Sequence, residues 1–223
     1  MSILFRIDDF PGTKPEEFSR HNLDSLKLFD QVMHDNGVVE YYLGVIPKYT
    51  TDEHLEYFKG HPRIRVAIHG IDHDERFPNE FREWQTERDV CNDLLAVKSL
   101  WDTRVGPVDS YIPPHNVIDR RTVKALILAG FKTLFCGPGT DGGVMFDAEV
   151  LGLTVHNSLE GLEYGRSDEL LARGNGLPWM RARMGFSKEA CVCSVTLHFT
   201  WEVNIGLQNL DRFLKELMRP CPT

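Results

Sequence analysis

Apolar runs and amphipathic stretches alternate along this chain almost from end to end. Residues 3–7 form a short apolar run that reads as a strand. Residues 14–34 read as mostly helix, because Leu23, Leu26, Phe29, Val32 and Met33 make one apolar face. Asn36 and Gly37 close it, glycine suiting the left-handed cap position. Strands are then expected over 38–46 and 64–68, with a short helix over 51–59 between them. A long helix is expected over 79–101. A strand over 108–112 stops at Pro113 and Pro114, since proline cannot donate to a ladder. A helix over 119–129 follows, then a strand over 132–136, a glycine-rich loop over 137–143 and a strand over 150–155. Residues 156–183 carry the weakest pattern, with a helical turn expected over 167–172. A buried strand over 190–199 precedes a closing helix over 207–218, whose Leu207, Leu210, Phe213, Leu214 and Leu217 share a face.

About seven strands interleaved with helices imply an α/β fold with a mainly parallel sheet. A doubly wound open sheet and a closed or nearly closed barrel both satisfy that alternation. No glycine-rich phosphate fingerprint follows the first strand, which tells against the dinucleotide-binding version. No repeat, low-complexity tract or linker divides the sequence, so residues 1–223 are expected to form a single domain.

Charge narrows the choice of partners. The formal net charge of -8 argues against nucleic acid and anionic membrane surfaces, both of which need a basic patch. No apolar run approaches the roughly 18 residues of a membrane span. The first apolar run leads straight into Asp8 and Asp9 without the features of a secretory signal, so a cytoplasmic location is expected. The five cysteines, odd in number and without CxxC spacing, read as reduced thiols. Oligomeric state is left open.

The chemistry-bearing residues cluster at strand ends. Asp8 and Asp9 end the first strand, His69 to His73 the third, and Pro113, Pro114, His115 and Asn116 the fourth. His198 lies near the end of the last long strand. In a parallel barrel such ends converge on one face. Asp9, His69 and His73 are the candidate metal ligands, a carboxylate and two imidazoles suiting zinc, with manganese, iron, cobalt and nickel as alternatives. The spacing of the two histidines brings both rings to one side if 69–73 forms a helical turn. Asp8 is the candidate general base. It shares a strand face with Arg6, which either lies beneath it and holds it ionised or is a partly exposed residue at the barrel end. His198 is the candidate general acid, and Glu202 is expected to raise its pKa if the chain stays extended past Phe199.

Taken together, Ile7-Asp8-Asp9, His69-Gly70-Ile71-Asp72-His73, Tyr111-Ile112-Pro113-Pro114 and Leu197-His198 resemble, in order, motifs of the NodB-homology polysaccharide deacetylases. These are carbohydrate esterase family four and its divergent relatives. The resemblance spans most of the chain and implies a distorted (β/α) barrel with metal-dependent removal of an N-acetyl or similar acyl group from a sugar or polysaccharide intermediate. It implies Asp8 as base, Asp9, His69 and His73 as ligands of a divalent metal, and His198 as acid. Tyr111 and Pro114 would line a groove; His115 and Asn116, next in the chain, either line the site or belong to a polar loop. Trp179 and Trp201 are candidates to stack on a sugar face, core packing being the alternative for each. Two departures stand out. The family's third motif carries an arginine that pairs with the catalytic aspartate, whereas Ile112 stands near that position; Arg6, Arg181 or Arg183 are the available substitutes. The fourth motif sets an aspartate beside a tryptophan, and Leu177-Pro178-Trp179-Met180 has none. A non-catalytic carbohydrate-binding or structural relative of the same barrel is the alternative.

Overall fold

Strand β1 (Ser2–Phe10) sits deep in the sheet, flanked by β2 (Tyr41–Val45) and β7 (Val192–His198). In the computed structural model, residues 2–73, 80–137, 140–157, 166–172 and 192–218 are described. Beyond β2 lie β3 (Ile64–His69), β4 (Ser110–Ile112), β5 (Thr133–Cys136) and β6 (Thr154–Asn157). The order is β6-β5-β4-β3-β2-β1-β7, every pairing is parallel, and the sheet curls into a half-barrel flanked by helices.

Strand parity separates two layers. Phe5, Ile7, Leu43, Val45, Ile68, Tyr111, Leu134, Val195 and Leu197 join the large core. There they meet α1 (Leu23–Asp35), α2 (Asp52–Phe58), α3 (Glu87–Arg104), α4 (Arg120–Leu128) and α8 (Leu207–Met218) through residues such as Phe29, Phe58, Leu94, Leu126 and Phe213. Ala67, Ile112 and Phe135 form a separate small cluster on the inner face, with Leu4 and Tyr42 against it. Arg6 is in register with Tyr42, and Asp8 with His198. Polar groups on the inner face therefore rest on a thin apolar floor.

Several expected boundaries move, for local reasons. The helix expected over 14–34 is a single turn at Pro15–Glu17 followed by α1. Asn22 caps α1 by accepting from the Ser25 N–H. Helix α3 begins at Glu87 rather than 79, because Thr86 and Asp89 close a capping box. The strand expected over 150–155 is also corrected. Asp141 caps the N–H groups of Gly143 and Val144 and starts α5 (Gly142–Val150), so β6 begins only at Thr154. The expected elements over 207–218 and 167–172 are α8 and α6 (Ser167–Ala172).

Candidate metal centre and active site

Alternation along β1 would send Asp8 and Asp9 to opposite faces. A bulge prevents this: the register with β2 shifts between Ile7 and Phe10, and Asp9 takes φ 64°. Both carboxylates then line one cavity of about 350 Å³ at the C-terminal ends of the strands. Asp8 and His198, facing each other across the β1–β7 ladder, both border it.

The two histidines do not meet through a helical turn. His69 is the last residue of β3, Gly70 has φ +68°, and His73 sits in irregular backbone at φ 49°. A β-carbon on Gly70 would lie 1.8 Å from Glu80 Oε2 and 2.6 Å from Pro114 Cγ, so only glycine fits that bend. The resulting turn places the two imidazoles with centroids 4.8 Å apart. One ligand atom from each of Asp9, His69 and His73 lies within 4.8 Å of the others.

Among the described residues, the non-glycine residues with positive φ are Asp9, His73, His115 (54°) and Asn116 (57°), and all of them line this cavity. Left-handed conformations at such residues cost energy and persist where the surroundings enforce them, commonly at functional sites.

Arg6 is almost wholly buried and pairs with Asp8 at both oxygens, Nε to Oδ1 at 2.8 Å and Nη2 to Oδ2 at 2.6 Å. It also donates to Asn116 Oδ1 at 2.9 Å and to the Cys136 carbonyl at 3.2 Å. Thus the aspartate that the resemblance makes a base has an arginine partner, supplied from its own strand. Gly44 lets this pair sit close to the neighbouring strand, since a β-carbon there would come within 3.3 Å of Asp8 Oδ1.

Tyr111 does not line the cavity. Its parity on β4 turns it to the helix-facing core, edge-on to Phe131, while Ile112 takes the inner position. Pro114 packs against Gly70 rather than bordering the cavity, whereas His115 borders it with its ring 4.7 Å from that of His73. Trp201 stacks on His198 at 4.0 Å and also faces the cavity. The expected Glu202–His198 link is replaced by a different contact. The chain turns helical at Phe199, starting α7 (Phe199–Ile205), and Glu202 accepts instead from the N–H and hydroxyl of Ser167. Trp179, Arg181 and Arg183 lie outside the described residues.

The donor set fits a divalent metal. His69 Nδ1 lies 3.1 Å from the Ile112 carbonyl. A carbonyl only accepts, so Nδ1 carries the proton and Nε2 is turned to Asp9 Oδ1, 3.0 Å away. Burial, helped by the charges of His69 and His115, lowers His73 to about 4, which leaves it neutral and able to ligate near pH 7. Burial alone would raise the Asp9 carboxyl, but the His69 hydrogen bond, with the neighbouring His198 and His69 imidazoles, holds it below the usual carboxylate range. For His69, burial opposes the charge, yet the Asp9 hydrogen bond and the nearby carboxylates raise its pKa.

Two residues at the site escape a reading by motif. Asn116 is buried and accepts from Arg6, and the only signal for it is its place after the proline pair. Glu80 accepts from the N–H groups of Ile71 and Asp72. Nothing in local sequence marks it, because the periodicity draws it into the helix expected over 79–101.

No protein-family model matches the chain, and no curated protein matches it. Solved structures do. A family 4 carbohydrate esterase from Streptomyces lividans, in complex with acetate, matches with TM-score 0.55 at 8% identity, covering 97% of this chain and 85% of that one. A lactam utilization protein from Thermus thermophilus matches with TM-score 0.54 at 19% identity, covering 97% and 95%. A 4-alpha-glucanotransferase from Thermococcus litoralis matches with TM-score 0.64 at 11% identity; 98% of this chain is covered but only 38% of that one. These likenesses establish the fold, the curled parallel barrel of the family 4 esterases and similar proteins.

Proposed function

We propose that this chain is a metal-dependent hydrolase that removes an N-acetyl or similar acyl group from a sugar or polysaccharide intermediate. The observation that carries the reading is the convergence of Asp9, His69 and His73 within 4.8 Å, beside a second carboxylate held by a buried arginine. A divalent metal on those ligands, zinc by preference, would supply Lewis acidity toward the amide carbonyl and toward water.

The chain's own groups do the rest. Asp8, kept in place by Arg6, takes a proton from the attacking water. His198, across the ladder from Asp8, gives a proton to the departing nitrogen as the C–N bond breaks. Oxygen ends on the acyl carbon and the proton on the amine, so the products are a carboxylate and a free amino group. Trp201, packed on His198, offers an aromatic surface at the cavity edge for a sugar face.

A missing third-motif arginine favours a non-catalytic relative, and the Arg6–Asp8 pair weighs against that alternative. The test has two stages. Metal content is measured in wild type, Asp9→Ala and His69→Ala. Release of acetate is then followed from N-acetylated sugars, with linear amides and lactams as the non-sugar comparison. About one metal per chain, lost in both variants, supports the centre. Wild type that takes up no zinc or cobalt ends the hydrolase reading, and turnover of amides but not sugars reassigns the substrate.

A further inference from the structure

We propose that Glu80 is a positioning residue for the metal ligands: its carboxylate pins the turn that carries His73 toward His69. The inference rests on the metal-centre reading above.

The two histidines are fixed very differently. His69 belongs to β3 and its ring is anchored by the Ile112 carbonyl. His73 lies outside any helix or strand, and its Nδ1 is buried with no hydrogen-bond partner among the described residues. The ring lies between those of His69 and His115, 4.8 and 4.7 Å away, and the backbone between Gly70 and His73 is what brings it there.

Among the described residues, that backbone is held from two sides. On one side the Ile71 carbonyl accepts from the Lys48 N–H at 3.1 Å. On the other, a single oxygen of Glu80 accepts from two consecutive N–H groups, Ile71 at 2.6 Å and Asp72 at 2.8 Å. A single oxygen that accepts from adjacent backbone donors fixes their peptide planes relative to one another. The other Glu80 oxygen occupies the space that a side chain at residue 70 would need. Gly70 and Glu80 are thus complementary: the glycine permits the bend, and the glutamate holds it. The role is that of a group behind the ligands, which commonly matters about 10–100-fold in metal affinity.

The experiment compares wild type, Glu80→Ala and Glu80→Gln for zinc affinity, by competition with a chromogenic chelator, and for melting temperature without metal. Glu80→Gln keeps an acceptor oxygen for both N–H groups. The expected result is a loss of about 10–100-fold in affinity for folded Glu80→Ala, with Glu80→Gln close to wild type. Equal affinity in folded Glu80→Ala overturns the proposal. So does an equal loss in both variants, which would assign the effect to charge rather than to the pinned turn. Should Glu80→Ala not fold, Glu80→Asp decides, since its shorter side chain keeps the charge but not the reach: weakened zinc binding supports the proposal and wild-type binding overturns it. Wild type that binds no zinc removes the metal-centre reading itself, an outcome distinct from the others.

Discussion

Arg6 and Asp8 stand two residues apart on β1 and close a two-point ion pair, 2.8 and 2.6 Å, with both side chains almost fully shielded from water. Desolvating two charges is costly, and their attraction offsets it only while both are present. Arg6→Met should therefore lower the unfolding free energy by about 3–5 kcal/mol in urea denaturation. The double variant Arg6→Met with Asp8→Leu should recover much of that loss. A double variant no more stable than Arg6→Met would show that the pair itself adds net stability over its apolar replacement.

Asp8→Asn is expected to retain metal and lose turnover by about 100-fold or more, the usual scale for general acid–base groups. Turnover and metal content are read on the same preparation, well below its melting temperature, because the substitution leaves the Arg6 charge without a carboxylate. His198→Ala should behave likewise, with the loss smallest on amides whose amine leaves readily. Wild-type rates in Asp8→Asn would remove it as the base.

Gly70→Ala and Gly37→Ala separate two costs of a side chain at positive φ. Both glycines are left-handed, at +68° and +79°, but nothing lies within 4 Å of a β-carbon at Gly37. Gly37→Ala should lose about 1 kcal/mol, the backbone term alone. Gly70→Ala meets Glu80 and Pro114 as well, and should lose clearly more, together with metal affinity. Equal melting temperatures for the two variants would contradict the packing at Gly70.

Glu202 gives the protein a predictable pH dependence. It is fully buried, and burial raises its carboxyl to about 7 against the opposing Ser167 hydrogen bonds, with Asp168 raising and Arg166 lowering it further. The folded state holds that proton more tightly than the unfolded chain, whose value is 4.5. This contribution is fully present below pH 4.5, falls as pH rises toward 7, and is flat above it. A gap of that size corresponds to about 3 kcal/mol. Glu202→Gln lacks the titration, so its stability relative to wild type should rise between about pH 4.5 and 7 and level off above. Parallel curves for the two proteins would show that Glu202 ionises normally.

Sequence alone determined the layering of this protein. The alternation of strand-like and helix-like segments dictates a parallel α/β sheet, because parallel neighbours need crossovers and both sheet faces must be covered. The same pattern put Asp8, His69 and His198 at strand ends, where a parallel barrel gathers its chemistry. It also placed Arg6 on the face of Asp8, since side chains two apart on a strand point the same way. Other features depended on contacts distant in sequence. A bulge turned Asp9 beside Asp8. One step of parity buried Tyr111 beneath the helices, and a cap at Asp141 made helix where the apolar run suggested strand. Glu80 reached back to the turn after β3 although nothing near it in sequence marks a role. Periodicity encodes which way a side chain faces within one element. Which groups meet across elements is decided only when the folded chain must satisfy its buried polar atoms together.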